Sequence, residues 1–296
     1  MKKSNLMNLN LISVKDFNKY KVQYYIDKAN NIDKIDRKER KYKTLINLFY
    51  EPSTRTSCSF HKAMLNLGGN VIEITDNSSA KKGESLEDTI KTVSKYGDII
   101  VLRHPEKGSA ERAAKVSTVP LINAGDGNGE HPTQALLDIY TIYKEVKKDL
   151  YKNNIIVTFI GDLKNSRTIH SLIHLLNLFN VTYIFISPPG LELQGIEVLS
   201  TFEGLSLEEA LEITDVVYVT RIQKERIEGI DKMDYKPICL SKELLSKANK
   251  NLIIMHPLPR QEELPPELDD DPRSVYFKQV ENGVKMRMAI LDELLN

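Results

Sequence analysis

The chain has 296 residues, enough for two compact lobes with buried cores or for one large one. Its 41 Lys and Arg balance 41 Asp and Glu, so the formal charge is zero, and the basic excess that nucleic-acid or membrane-surface binding needs is missing. With 41% hydrophobic and 28% charged residues it reads as globular, not disordered; two cysteines, Cys58 and Cys239, lack CxxC or zinc-ligand spacing and argue against a disulfide framework or structural zinc.

In chain order the pattern opens on a helix over 14–29, with Ser13 as N-cap and Asp16 three residues on. Strands are predicted over 45–50, 71–74, 99–103 and 121–123, with helices between them, then a long helix over 132–147. The polar stretch 147–154 that follows is the expected domain boundary. Beyond it the alternation restarts, with strands over 155–160, 181–186, 216–220 and 252–255. Helices are expected over 167–179, 207–213 and 242–248. A closing amphipathic helix over 284–295 fits neither half by pattern alone. Strand-then-helix alternation in two blocks predicts an α/β protein with two parallel sheets and a cleft, and ligands in such folds sit at the carboxyl ends of the strands. The longest apolar runs, such as 155–160 and 181–186, are strand-sized and far short of a membrane span. No apolar segment follows the basic, Asn-rich start, so no secretory signal is expected.

The predicted strand ends carry the chemistry. The first runs into Ser53-Thr54-Arg55-Thr56 at a helix N-terminus, where backbone N–H groups, the helix dipole and a guanidinium suit an anion. Ser53 alone would be an ordinary N-cap, a role that does not call for Arg55 and Thr56 as well. Arg103 ends an apolar strand, a costly place for a cation unless it meets an anion or a structural ion-pair partner. Gly125, Gly127 and Gly129 then lead to His131-Pro132-Thr133-Gln134. Pro132 suits a first helical turn, and the positive helix end favours His131 as a neutral hydrogen-bond donor, with Gln134 one turn on. Neither GxGxxG nor a Walker loop is present, which disfavours nucleotide binding. In the second half Gly161-Asp162…Arg167-Thr168 and Thr220-Arg221-Ile222-Gln223 repeat the strand-to-helix arrangement with fixed cations. His256-Pro257-Leu258-Pro259-Arg260 closes the last strand with two prolines that remove N–H donors and leave carbonyls to accept from a ligand NH2 group.

Taken together, Ser53–Thr56, Lys82-Gly83-Glu84-Ser85, Arg103-His104-Pro105, His131–Gln134, Gly161-Asp162…Arg167-Thr168, Thr220–Gln223 and His256–Arg260 resemble the aspartate/ornithine carbamoyltransferase family, on its aspartate-using side, from about Leu45 through Arg287. The resemblance implies two Rossmann-like α/β lobes. These would be a carbamoyl phosphate-binding domain over 1–147 joined by the C-terminal helix 284–296 packing back on it, and an aspartate-binding domain over 148–283. It implies transfer of carbamoyl from carbamoyl phosphate to the amine of L-aspartate, the committed step of pyrimidine synthesis, with neither metal nor cofactor. By matching motif, Ser53, Thr54, Arg55, Thr56, Ser78 and Arg103 hold the phosphate, while Thr56, Arg103 and His131 polarise the carbonyl. Gln134 and the carbonyls of Pro257 and Leu258 orient the carbamoyl NH2; Arg167 takes the α-carboxylate of aspartate, Arg221 and Gln223 the β-carboxylate. Lys82 and Ser78 are implied to cross from a neighbouring subunit of a homotrimer. The implied compartment is the cytoplasm, with a targeting extension ahead of Met1 left open. Separate regulatory chains are left open too.

One departure stands out. The family pattern usually continues with Arg, and Glu four residues later; here these positions are Ser57 and His61. Losing both members of an i, i+4 pair leaves no orphan charge, so the change is read as structural. The nearest rival activity, carbamoyl transfer to ornithine, shares the first-lobe motifs but typically ends its last strand His-Cys-Leu-Pro, where this chain has Pro257. A catalytically dead, structural relative is the other alternative, and the complete motif set argues against it.

Overall fold

The computed structural model describes residues 10–34, 40–75, 83–226 and 235–296. The chain forms two compact units, Met1–Leu137 with Glu281–Asn296, and Asp138–Val280.

In unit 1, β1 (Thr44–Phe49), β2 (Asn70–Thr75), β3 (Ile99–His104) and β4 (Leu121–Asp126) pair in parallel in the order β2-β1-β3-β4. Ile46, Leu48, Ile100, Leu102 and Leu121 pack with Ile90 and Val93 of α3 (Leu86–Val93) and Ala113 of α4 (Ser109–Val116). Near-continuous apolar strands of this kind are what burial on both faces of a parallel sheet selects. β2 is the edge strand, and most of its residues are exposed. α1 (Lys19–Asn31) and α2 (Thr54–Asn66) complete the unit, together with the first part of α5 (Pro132–Glu145).

In unit 2, β5 (Ile155–Ile160), β6 (Val181–Ile186), β7 (Val216–Val219) and β8 (Ile253–Met255) are again all parallel, in the order β6-β5-β7-β8. Ile160, Val217, Val219 and Ile254 form its core with Leu211 of α7 (Leu207–Ile213) and Leu245 of α8 (Lys242–Lys247); α6 (Arg167–Leu176) follows β5. The buried Asp138 carboxylate accepts from the Tyr218 hydroxyl at 2.8 Å and from Gln279 Nε2 at 2.6 Å.

Both sheets share one topological property. The second strand adds to one side of the first and the third to the other, so the crossovers leave in opposite directions. That places a crevice at the carboxyl ends of β1 and β3, and of β5 and β7, where open α/β sheets take ligands.

Three elements differ from the sequence expectation. The opening helix is broken: a single 3-10 turn covers Val14–Asp16, Phe17 is extended, and α1 starts afresh with Asn18 capping Lys21 N–H at 2.9 Å. Glu130 anchors the short turn by accepting from Ser13 Oγ at 2.9 Å and from Val14 N–H at 2.6 Å, while Ser13 Oγ accepts from Lys15 N–H at 3.1 Å instead of from Asp16 N–H. β4 continues through Gly125 to Asp126. The last helix, α9, covers Tyr276–Leu294 and so begins eight residues before Val284. Gly283 lies inside it, at a point where a Cβ would stand 3.2 Å from the Leu137 side chain and 2.8 Å from Arg287 Nη1. The C-terminal part of α9 packs back on unit 1 as expected. Arg287 donates to Ser59 Oγ at 2.9 Å and lies over the Phe60 ring, and Lys28 pairs with Asp292 at 2.9 Å. Among the described residues no helix is long and apolar enough to cross a membrane.

Candidate active site

In unit 1 the chain leaves β1 at Phe49 and enters α2 at Thr54, so Ser53, Thr54, Arg55 and Thr56 all stand at the carboxyl end of the central strand. Arg55 is exposed and Thr56 buried. Ser53 occupies the N-cap position of α2, yet its hydroxyl makes no capping hydrogen bond. It faces Arg103 Nη1 instead, at 3.4 Å. The N-terminal N–H groups and positive dipole end of α2 point at the same corner. Arg103, the fifth residue of β3, is held by Glu51, whose carboxylate accepts from its Nε at 3.2 Å. The Tyr50 N–H donates to the Arg103 carbonyl at 2.9 Å and ties the two strand ends together. The guanidinium is therefore aimed by a partner rather than left to solvent.

β4 ends next to β3 and feeds the 125–131 turn. Asp126, largely buried, organises it: one oxygen accepts from Glu130 N–H at 2.8 Å and the other from Gly108 N–H at 2.9 Å. Gly127, at φ 54°, lies so close to the Pro105 carbonyl that a side chain would not fit. The turn delivers His131, 4% exposed, to the start of α5, where its carbonyl accepts from Gln134 and Ala135 N–H at 3.0 and 3.1 Å. Thr133 Oγ1 lies 3.5 Å from His131 Nδ1. His104, which pairs with Asp126 between β3 and β4, has a lowered pKa, chiefly because burial disfavours its cation.

In unit 2, Gly161 follows β5 at φ 115°, and a Cβ there would run into the Thr220 carbonyl. Only glycine lets the β5 and β7 ends approach this closely. Asp162, fully buried, then bridges the two loops by accepting from Asn165 N–H and Gln223 N–H, both at 3.0 Å. Arg167 opens α6 and is 4% exposed; Arg221 follows β7, with its Nη1 donating to the Ile222 carbonyl at 3.2 Å. Pro257 and Leu258 follow β8 at the same end of the same sheet.

The sequence-derived residues thus fall into two groups. Ser53, Thr54, Arg55, Thr56, Arg103, His131 and Gln134 gather at the carboxyl end of the first sheet. Arg167, Arg221, Gln223, Pro257 and Leu258 gather at that of the second. Ser78 and Lys82 lie outside the described residues. Sequence reasoning missed the acids that aim the cations and loops, namely the half-buried Glu51 and the buried Asp126 and Asp162; their adjacency to the motifs was the available signal. It also read Ser57 and His61 as a plain loss of an ion pair. The structure gives both a new partner: Glu73 on β2 stands 2.6 Å from His61 Nδ1 and 3.4 Å from Ser57 Oγ, and accepts from Asn47 Nδ2 at 2.8 Å.

Chemically, one group offers hydroxyls, two guanidiniums, a helix N-terminus and an imidazole, a set able to take an anion, and the other offers two guanidiniums and a pair of loop carbonyls. Comparison with known proteins likewise divides the chain in two. Residues 9–144 match the family model described as aspartate/ornithine carbamoyltransferase, carbamoyl-P binding domain, and residues 153–294 match the Asp/Orn binding domain of the same family. The aspartate carbamoyltransferase catalytic subunit of Archaeoglobus fulgidus is 46% identical over 303 residues, covering 98% of this chain and 100% of that one. The multifunctional protein CAD of Squalus acanthias is 45% identical over 96% of this chain, which spans 13% of that protein's length. The crystal structure of aspartate transcarbamoylase from Trypanosoma cruzi with carbamoyl phosphate and aspartate is 34% identical, with TM-score 0.86 over 95% of each chain.

Proposed function

The chain belongs to the aspartate/ornithine carbamoyltransferase family, and on that premise we propose that it transfers the carbamoyl group of carbamoyl phosphate to the α-amine of L-aspartate. The products are N-carbamoyl-L-aspartate and phosphate, the committed step of pyrimidine biosynthesis. Unit 1 binds carbamoyl phosphate: Ser53, Thr54, Arg55, Thr56 and Arg103 take the phosphate oxygens. The amine of aspartate adds to the carbonyl carbon, and the carbonyl electron pair moves onto oxygen. Thr56, Arg103 and His131 stabilise that oxyanion, and donors fixed in advance lower the barrier because they need no reorganisation. When the tetrahedral centre collapses, the C–O bond to phosphate breaks, and the departing phosphate accepts the amine proton. Gln134 and the carbonyls of Pro257 and Leu258 orient the carbamoyl NH2. Orientation of this kind replaces a dedicated base.

The observation that carries the choice of aspartate is in unit 2. Arg167 and Arg221 stand at the switch-point ends of β5 and β7, with Asp162 bracing the Gln223 backbone between them. Two guanidiniums suit a dicarboxylate and repel the side-chain cation of ornithine. Incubation with carbamoyl phosphate and either amino acid, followed by a colorimetric ureido assay, tests this. Carbamoyl-aspartate is expected; citrulline, or no ureido product, would overturn it.

The working assembly is a homotrimer in the cytoplasm, with Ser78 and Lys82 supplied to each site by a neighbouring subunit. Arg55→Ala and Lys82→Ala proteins are each expected to be nearly inactive, and hybrids reassembled from both to regain activity, because some sites then draw on two intact contributions. Absence of recovery after verified subunit exchange would refute shared sites.

A further inference from the structure

The loop after β8 contains the one non-glycine residue with a left-handed backbone among the described residues, Leu258 at φ 54°. An L-residue held there costs about 1–2 kcal/mol, so something must hold it. The Leu258 N–H donates to His256 Nδ1 at 2.8 Å. An imidazole nitrogen that accepts carries no proton, so the ring proton of neutral His256 sits on Nε2. Nε2 lies 3.1 Å from Glu263 Oε1, and the same oxygen accepts from Gln261 N–H at 2.7 Å. His256 and Glu263 are 1% and 2% exposed, and His256 is further anchored by its own N–H donating to Gln279 Oε1 at 3.0 Å. Burial, with the cations of Arg260 and Arg221 adding to it, keeps the ring neutral against the pull of Glu263. A parallel shows what is special here. His104 Nδ1 accepts from Glu106 N–H at 3.1 Å across an identical His-Pro-x step. Among the described residues no buried carboxylate is hydrogen-bonded to the other nitrogen of His104, and Glu106 has no left-handed backbone.

We propose that His256, with its tautomer selected by Glu263, is a positioning residue that fixes Leu258 in its left-handed conformation and so aims the Pro257 and Leu258 carbonyls, making the loop the element that distinguishes an NH2 group from a methyl group on the acyl donor. This rests on the carbamoyl-transfer reading given above. Carbonyl oxygens can accept from the carbamoyl NH2 and gain nothing from the methyl of acetyl phosphate, so selectivity between the two donors reports on the groups that meet the NH2. Of these, His256 bears on the loop carbonyls, not on Gln134. A change that merely destabilised the fold would lower both rates together.

Two near-isosteric replacements separate the roles of the ring nitrogens. His256→Asn keeps an acceptor at the Nδ1 position and loses the contact with Glu263. His256→Gln keeps a donor toward Glu263 and loses the acceptor for Leu258 N–H. The readout is kcat/KM for carbamoyl phosphate divided by that for acetyl phosphate, both with aspartate, on protein that melts cooperatively. The ratio is expected to fall about tenfold in His256→Gln, the worth of one misaligned hydrogen bond, and to stay within about twofold of wild type in His256→Asn. Unchanged ratios in both variants, or equal falls in both, would overturn the proposal. A wild-type protein that forms no ureido product would instead refute the carbamoyl-transfer reading itself, before any variant is compared.

Discussion

Replacing Ser53 with Ala separates a structural serine from a functional one, because the structure makes the two roles differ in sign. Ser85, Ser206 and Ser241 cap their helices with side-chain hydrogen bonds, and Ser206 forms a full capping box with Glu209. Removing such a cap costs about 1 kcal/mol, which lowers the melting temperature of a unit this size by roughly 2–4 °C. Ser53 holds the corresponding position on α2, but its hydroxyl makes no capping bond and instead faces Arg103 Nη1 at a long 3.4 Å. The stability change expected for Ser53→Ala is therefore below about 0.5 kcal/mol. A hydroxyl donating to a phosphate oxygen is worth about 1.5–3 kcal/mol, so kcat/KM for carbamoyl phosphate should fall roughly ten- to a hundredfold. Ser206→Ala, away from the proposed site, is the reverse control, with a lower melting temperature and unchanged kinetics. Thermal melts and steady-state rates on the two variants decide the matter. A melting temperature for Ser53→Ala that drops as far as that of Ser206→Ala, with kcat/KM within about twofold of wild type, would refute the reasoning.

Asp162→Ala unties Gln223 from Asn165 and leaves their N–H groups without this acceptor, so KM for aspartate should rise about tenfold while KM for carbamoyl phosphate moves less than about twofold; initial-rate kinetics in both substrates check this. Ser57→Arg with His61→Glu exchanges one exposed cluster around Glu73 for another, and KM for carbamoyl phosphate is expected to stay within about threefold of wild type. A large gain in affinity would show that the cluster acts on the phosphate cradle. Asp269 is held by Arg260 and the Tyr276 hydroxyl, and its pKa is pushed down to about 2. A depressed carboxyl stabilises the fold above its unfolded pKa of about 3.9 and loses that contribution as pH falls toward 2. The gap in urea midpoint between wild type and Asp269→Asn should thus be full near neutral pH and close across that acid window.

The apolar runs of β5 and β6 and the capped, amphipathic pattern of α7 announce themselves, and their bounds agree with the sequence pattern. The opening helix is different: its first turn is tied to Glu130, more than a hundred positions away, through the Ser13 hydroxyl and the Val14 N–H, and α1 starts afresh after Asn18. The start of α9 is missed because a glycine such as Gly283 is a poor helix former in sequence, whereas here it lies inside the helix. The motif residues were legible as residue types at strand ends. The residues that aim them were not, since Glu51, Asp126, Asp162 and Glu263 act through contacts that residue spacing does not encode.

By itself the sequence determined the two α/β blocks, the strand-end positions of Ser53–Thr56, Arg103, His131, Arg167 and Arg221, and a net charge that hides five arginines and lysines grouped by function among many others. It could not determine the order of the strands, because a parallel strand reads alike wherever it sits in a sheet. Only the tertiary structure decided that β1 and β3, and β5 and β7, are neighbours across a reversal of winding. Backbone pairing and two-sided burial choose that order, and it turns cations separated by dozens of residues into two local concentrations of positive charge within an electrically neutral chain.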